Sequence, residues 1–136
     1  MLLKIVEHID IAEAYNYLQH PSCGAVNLFI GTVRDRSRGK EVTKLVFEAY
    51  ETMALKEFEK IALLAKQQWP LERITVIHAT GEKLPGDAVV AVGVASPHRQ
   101  AVFEATAFIM QELKTTVPIW KHEYYGDESV WINAHP

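Results

Sequence analysis

A single cysteine, Cys23, stands in a chain of 136 residues, which excludes an internal disulfide and any cysteine-rich zinc or iron–sulfur centre. Long apolar runs are also missing. None approaches the roughly 20 residues of a membrane-spanning helix, and charges interrupt every candidate. Acids break the opening MLLKIVEHIDIAEAY too early for a secretory signal, so cytoplasmic residence is the expectation. Charge of one sign is not in excess. Fourteen Lys and Arg against seventeen Asp and Glu leave a formal net charge of −3, which argues against general nucleic-acid binding. The seven glycines form neither a dinucleotide fingerprint nor a P-loop. Gly-x-Ser-x-Gly and His-Glu-x-x-His are absent too, and no two acids are placed for two-carboxylate catalysis.

What remains is an ordinary globular composition, 49% hydrophobic and 23% charged, long enough for one domain spanning residues 1–136. Asp10 is placed to cap a short helix over about Ile11 to Leu18, ended by Pro21 and Gly24. GAVNLFIGTV and EVTKLVFEAY read as strands, separated by the basic loop RDRSRGK. From Glu51 to Trp69, Ala54, Phe58, Ile61 and Ala65 recur at helical spacing, and Pro70 stops the pattern. RITVIHAT and AVVAVGVAS follow as strands joined by GEKLPGD, whose Pro-Gly-Asp is a turn signal. A second long helix is expected from about His98 to Lys114, with Ser96 as its cap and Pro97 at its first position. VPIWKHEYY, the turn GDE and SVWIN then suggest a closing hairpin. Paired strands between helices indicate an α+β fold with a mixed or antiparallel sheet, helices covering one face.

The chemistry must come from basic residues. Arg34 follows the apolar strand directly, and its guanidinium fork suits phosphate or carboxylate oxygens; Arg36 and Arg38 read as solvated loop charges. His98 and Arg99 fall at the start of a long helix, where the dipole favours anions and disfavours cations, so an anion bound between them is one reading. The other is a satisfied histidine beside an arginine paired with Glu104. Lys114 suits a helix C-terminus. Strand alternation puts Ile119, Lys121 and Glu123 on one face and Trp120, His122 and Tyr124 on the other, so Lys121 either pairs with an acid or serves a pocket. His78 reads as a satisfied strand histidine, and Trp69, Phe103 and Phe108 as core or interface. His98, His122 and His135 lack metal-ligand spacing, so neither metal nor cofactor is expected.

Length constrains how these residues combine. Arg99 and Lys114 are fifteen residues apart, roughly 22 Å along a continuous helix. They cannot meet around one small anion within one copy of the helix: either there are two sites, or a second subunit brings His98 and Arg99 to the other chain's lysines.

FIGTVRD, LVFEAYETMA, VIHATGEKLPGD, VGVASPHRQAVFEA and LKTTVPIWKHE occur in this order, and together they resemble the large, catalytic (MoaE-type) subunits of molybdopterin synthase from about residue 24 to 131. The resemblance implies an α/β hammerhead-like fold with an added antiparallel β subdomain. It also implies a sulfurtransferase of molybdenum-cofactor biosynthesis that converts cyclic pyranopterin monophosphate to molybdopterin. Sulfur would arrive as a thiocarboxylate on the C-terminal glycine of a small ubiquitin-like subunit, within a heterotetramer built on a homodimer of large subunits. Lys114 and Lys121 match the family's active-site lysines, and Arg34, His98 and Arg99 would bind substrate. His122 stands where the family commonly has Lys or Arg, and His135 lies near where it often has a C-terminal arginine. Two other readings fit the residues less well: a non-catalytic module binding a pterin or nucleotide phosphate, and an RNA-binding protein using RDRSRGK.

Overall fold

A computed structural model describes residues 1–126 and 128–133, without the side chain of Asn133. Ten strands and three helices are present among them: β1 (Leu2–Val6), α1 (Ile11–Leu18), β2 (Ala25–Thr32), β3 (Arg36–Ser37), β4 (Lys40–Glu41), β5 (Lys44–Ala49), α2 (Glu51–Gln68), β6 (Arg73–Ala79), β7 (Gly81–Lys83), β8 (Ala88–Ser96), α3 (Arg99–Thr116), β9 (Ile119–Tyr125) and β10 (Glu128–Asn133).

The first sheet runs β1-β6-β8-β2, with β1 parallel to β6 and the other pairs antiparallel. Its central strands are buried on both faces, which is why RITVIHA and AVVAVGVAS read as unbroken apolar runs. Ile74, Val76, Val92 and Val94 pack with Phe58 and Ile61 of α2 and with Val102, Ala105 and Ile109 of α3. The opposite face carries Ile77 and Ala91 against Ala14 of α1, and the Thr75 hydroxyl donates to the Ala14 carbonyl at 3.3 Å. Helices therefore cover both faces, not one, because Ala14 and Leu18 give even the short α1 an apolar stripe to bury.

The second sheet runs β10-β9-β5-β7, antiparallel throughout, and corresponds to the expected added β subdomain. One face turns Leu45, Phe47, Ile119 and Glu123 inward. The other presents an aromatic ladder in which His122 lies between Tyr124 (4.5 Å) and Trp131 (4.4 Å), with the Lys44 ammonium over the Tyr124 ring.

Two local expectations are corrected, and one strand is added to those expected. RDRSRGK is not a plain loop: Arg36 pairs with Glu41 and Ser37 with Lys40 in a two-residue hairpin turning at Arg38 and Gly39, both at positive φ. β1 is a parallel edge strand whose partner lies some seventy residues on, a pairing no local pattern reveals. The cap of α3 is His98, without a side-chain hydrogen bond; Ser96 ends β8 instead, buried, and Pro97 precedes the helix. Asp10 caps α1 as expected, accepting from the Glu13 N–H at 3.1 Å.

Candidate active site

β9 sets the geometry. Its alternation buries Ile119 and Glu123 and leaves Lys121 between them on the inward face, its side chain only 13% exposed. Pro118 cannot extend α3, so the chain leaves the helix at Val117 and enters β9 at Ile119. That break aims the two lysines of LKTTVPIWKHE in different directions.

Lys121 faces a cleft of about 200 Å³ between the two sheets. Arg34, just past β2, and Arg36, on β3, line it with Lys121 and Glu123, while Phe47 and His78 form part of its floor. The Lys121 Nζ lies 3.7 Å from Glu123 Oε2. The other carboxylate oxygen, Oε1, accepts from the Ser37 hydroxyl at 3.3 Å and from the Tyr125 hydroxyl. One oxygen is thus anchored by two hydroxyls, and the other is left to the lysine.

Burial pushes the Lys121 pKa below the usual lysine value; Glu123 opposes this, and the positive charges of Arg34 and Arg38 reinforce it. A lysine so placed holds its proton less firmly than one in water. It can therefore serve as a hydrogen-bond donor to developing negative charge or exchange a proton. The Tyr125 hydroxyl is pushed up, by burial first and then by its bond to Glu123. The sequence places Glu123 on the Lys121 face but not among the site candidates, because its burial comes from the tertiary fold.

Lys114 lies elsewhere. It is exposed in the last turn of α3 and lines a shallower depression with Asn27, Thr106 and Gln111. Phe29 and Met110 border both that depression and the Lys121 cleft. The lysines therefore flank adjacent concavities across a Phe29–Met110 wall and do not share one pocket within the chain. Phe29, on the edge strand β2, is 40% exposed, and Phe103, which also lines the Lys114 depression, is 63% exposed, so the wall and its margin offer apolar surface to a ligand or partner.

His98 and Arg99 are exposed at the opposite end of α3 from Lys114, and neither lines the Lys121 cleft. The continuous helix between them confirms the separation inferred from length. His78 is buried, donates from Nδ1 to the Ala79 carbonyl at 2.7 Å and meets Phe47 edge-on, in keeping with a structural histidine. Another buried cation, Lys83, donates to the Glu7 carbonyl and closes the second sheet over the β1–α1 connection. His135 lies outside the described residues. Among those described, no three His, Cys, Asp or Glu side chains are grouped to hold a metal ion, and no helix is long and apolar enough to cross a membrane.

Residues 5–116 match the family model described as MoaE protein. The chain belongs to the MoaE family. A molybdopterin synthase catalytic subunit from Vibrio cholerae is 43% identical over 129 residues, which cover 94% of this chain and 86% of that protein. A protein of the same description from Drosophila persimilis is 45% identical over 125 residues, 90% of this chain. This MoaE-family chain spans only about a third of that fly protein's length, 35%. Among solved structures, molybdopterin synthase from Staphylococcus aureus superposes with a TM-score of 0.90 at 31% identity, covering 95% of this chain and 94% of that one. The α+β architecture with two separate four-stranded sheets is therefore the family's fold.

Proposed function

We propose that this protein is the catalytic subunit of a molybdopterin synthase, acting in the cytoplasm. It would transfer sulfur from the thiocarboxylated C-terminal glycine of a small ubiquitin-like subunit to cyclic pyranopterin monophosphate, building the dithiolene of molybdopterin. The observation that carries the reading is the basic cleft around the buried Lys121–Glu123 pair, separated from Lys114 only by Phe29 and Met110. Its support from relatives is the description shared by the Vibrio cholerae and Drosophila persimilis proteins.

In this reading Lys114 works at the reacting centre, where the thiocarboxylate sulfur meets the pterin side chain. Lys121 orients the substrate and stabilises negative charge on the phosphate leaving group. Arg34 binds the substrate's anionic edge. With one cysteine in the chain, the sulfur comes from the partner, and two sulfurs per product require two rounds of docking. His98 and Arg99 complete the site of a second copy in a homodimer, since α3 holds them at the far end from their own Lys114. One small subunit on each large subunit then makes a heterotetramer.

The test is reconstitution: the protein, cyclic pyranopterin monophosphate and a thiocarboxylated small subunit should yield dithiolene product. No product from the unmodified protein would defeat the proposal.

A further inference from the structure

The β3–β4 hairpin is more than a connection. Arg36 stands opposite Glu41 across the hairpin, where an oppositely charged pair would ordinarily form. No ion pair joins them; Arg36 lines the Lys121 cleft instead. Among the described residues neither Arg34, Arg36 nor Arg38 has an acidic partner. The cleft's one buried acid, Glu123, is already engaged by Ser37, Tyr125 and Lys121. Two guanidinium groups thus border a small cavity with no carboxylate left to neutralise them.

The hairpin is also seated. The Ser37 hydroxyl reaches Glu123, Lys40 pairs with Glu128 at 2.7 Å and lies over the Tyr125 ring at 5.6 Å, and the Val42 N–H donates to the Asp35 carbonyl at 2.8 Å. The Ser37 and Lys40 contacts tie the hairpin to β9 and β10, and none of them engages an arginine side chain. At its tip Arg38 occupies φ 54°, a left-handed conformation that Asn or Gly adopts more readily.

We infer that Arg36 is a further substrate-binding residue, forming with Arg34 and Lys121 an oxyanion site that holds the phosphate of the pterin substrate. The inference rests on the proposed function above. A cyclic phosphodiester carries one negative charge shared over two free oxygens, and two guanidinium forks with an ammonium offer those oxygens donors of opposite sign. At about 200 Å³ the cleft is smaller than the roughly 300 Å³ at which pockets begin to enclose whole ligands, so it suits the phosphate end while the ring system extends past Phe29.

Calorimetric titration of the full chain with cyclic pyranopterin monophosphate, and with the same pterin lacking phosphate, tests this. Arg36→Ala should weaken the phosphate-bearing ligand about tenfold to hundredfold and leave the phosphate-free one unchanged. Arg36→Lys should recover part of the loss, since a lysine restores charge but not the fork. Unchanged affinity for the phosphate-bearing ligand, or equal loss for both ligands, overturns the assignment. So does a loss confined to binding of a small subunit with an ordinary C-terminal carboxylate, which would give Arg36 to the partner's tail. Failure of the unmodified protein to bind either pterin would instead overturn the proposed function, and this inference with it.

Discussion

Lys121 and Glu123 lie two residues apart on the inward face of β9, Nζ to Oε2 at 3.7 Å, with side chains 13% and 3% exposed. A buried ion pair of this kind is weak evidence for stability, because desolvating both charges offsets most of their attraction. What it provides is position. Glu123 is fixed by Ser37 and Tyr125, and it holds the lysine at the cleft wall while burial loosens the lysine's grip on its proton.

The titration of Lys121 follows from these neighbours. It should release its proton below the usual lysine value of 10.5, since burial and the Arg34 and Arg38 charges outweigh Glu123. Glu123→Gln should lower it further by removing the opposing charge, and Arg38→Asn should raise it. Chemical-shift titration of ¹³C-methylated lysines measures all three; an unmoved Lys121 in both variants would refute the account of its environment. The folded state gives up this proton at lower pH than the unfolded chain. Stability from this group therefore rises with pH between the folded value and about 10.5.

Removing Glu123 should be costly. Glu123→Ala leaves the Ser37 and Tyr125 hydroxyls without their acceptor and Lys121 buried without its counter-charge, a loss of about 3 kcal/mol. Urea unfolding monitored by tryptophan fluorescence gives the value; a change under about 0.5 kcal/mol, typical of surface positions, would show the network to be incidental.

Gly24 couples a backbone contact to the start of α3. A Cβ there would meet the Pro97 carbonyl oxygen at 2.8 Å, an atom of the segment that leads into His98 and Arg99. Gly24→Ala should therefore shift that segment and destabilise the chain by about 1–3 kcal/mol. A thermal melt matching that of the unsubstituted protein would show that the segment yields freely.

Much of this was legible in the sequence, for reasons visible in particular residues. The IWKHEYY alternation placed Lys121 and Glu123 on one face before any coordinates, because a strand's period of two is local. The distance between Arg99 and Lys114 was equally local, fixed by helical rise. The β3–β4 hairpin was not legible: four charged or small residues carry no alternation, and its contacts to Glu123 and Glu128 span some ninety positions. Nor was the burial of Glu123, which depends on Ser37 arriving from a hairpin some ninety positions away. The relation between the two lysines was not legible either, because Phe29, from a distant strand, stands between the concavities they line.

The Arg38 turn offers a separation of stability from function. Arg38→Asn should relieve the left-handed strain and stabilise the hairpin by about 1 kcal/mol, while weakening positive potential at the cleft. Denaturant midpoints and substrate affinity should thus move in opposite senses; movement in the same sense would tie Arg38 to the fold alone.

The central claim is that Lys114 acts at the reacting centre of a sulfur transfer. Single-turnover dithiolene formation with thiocarboxylated small subunit and cyclic pyranopterin monophosphate, comparing the unmodified protein with Lys114→Ala, tests it most directly. Lys114 is exposed, so the variant should keep its fold and its stability within about 0.5 kcal/mol. The account predicts product from the unmodified protein and none from the folded variant; near-normal turnover by Lys114→Ala would contradict it.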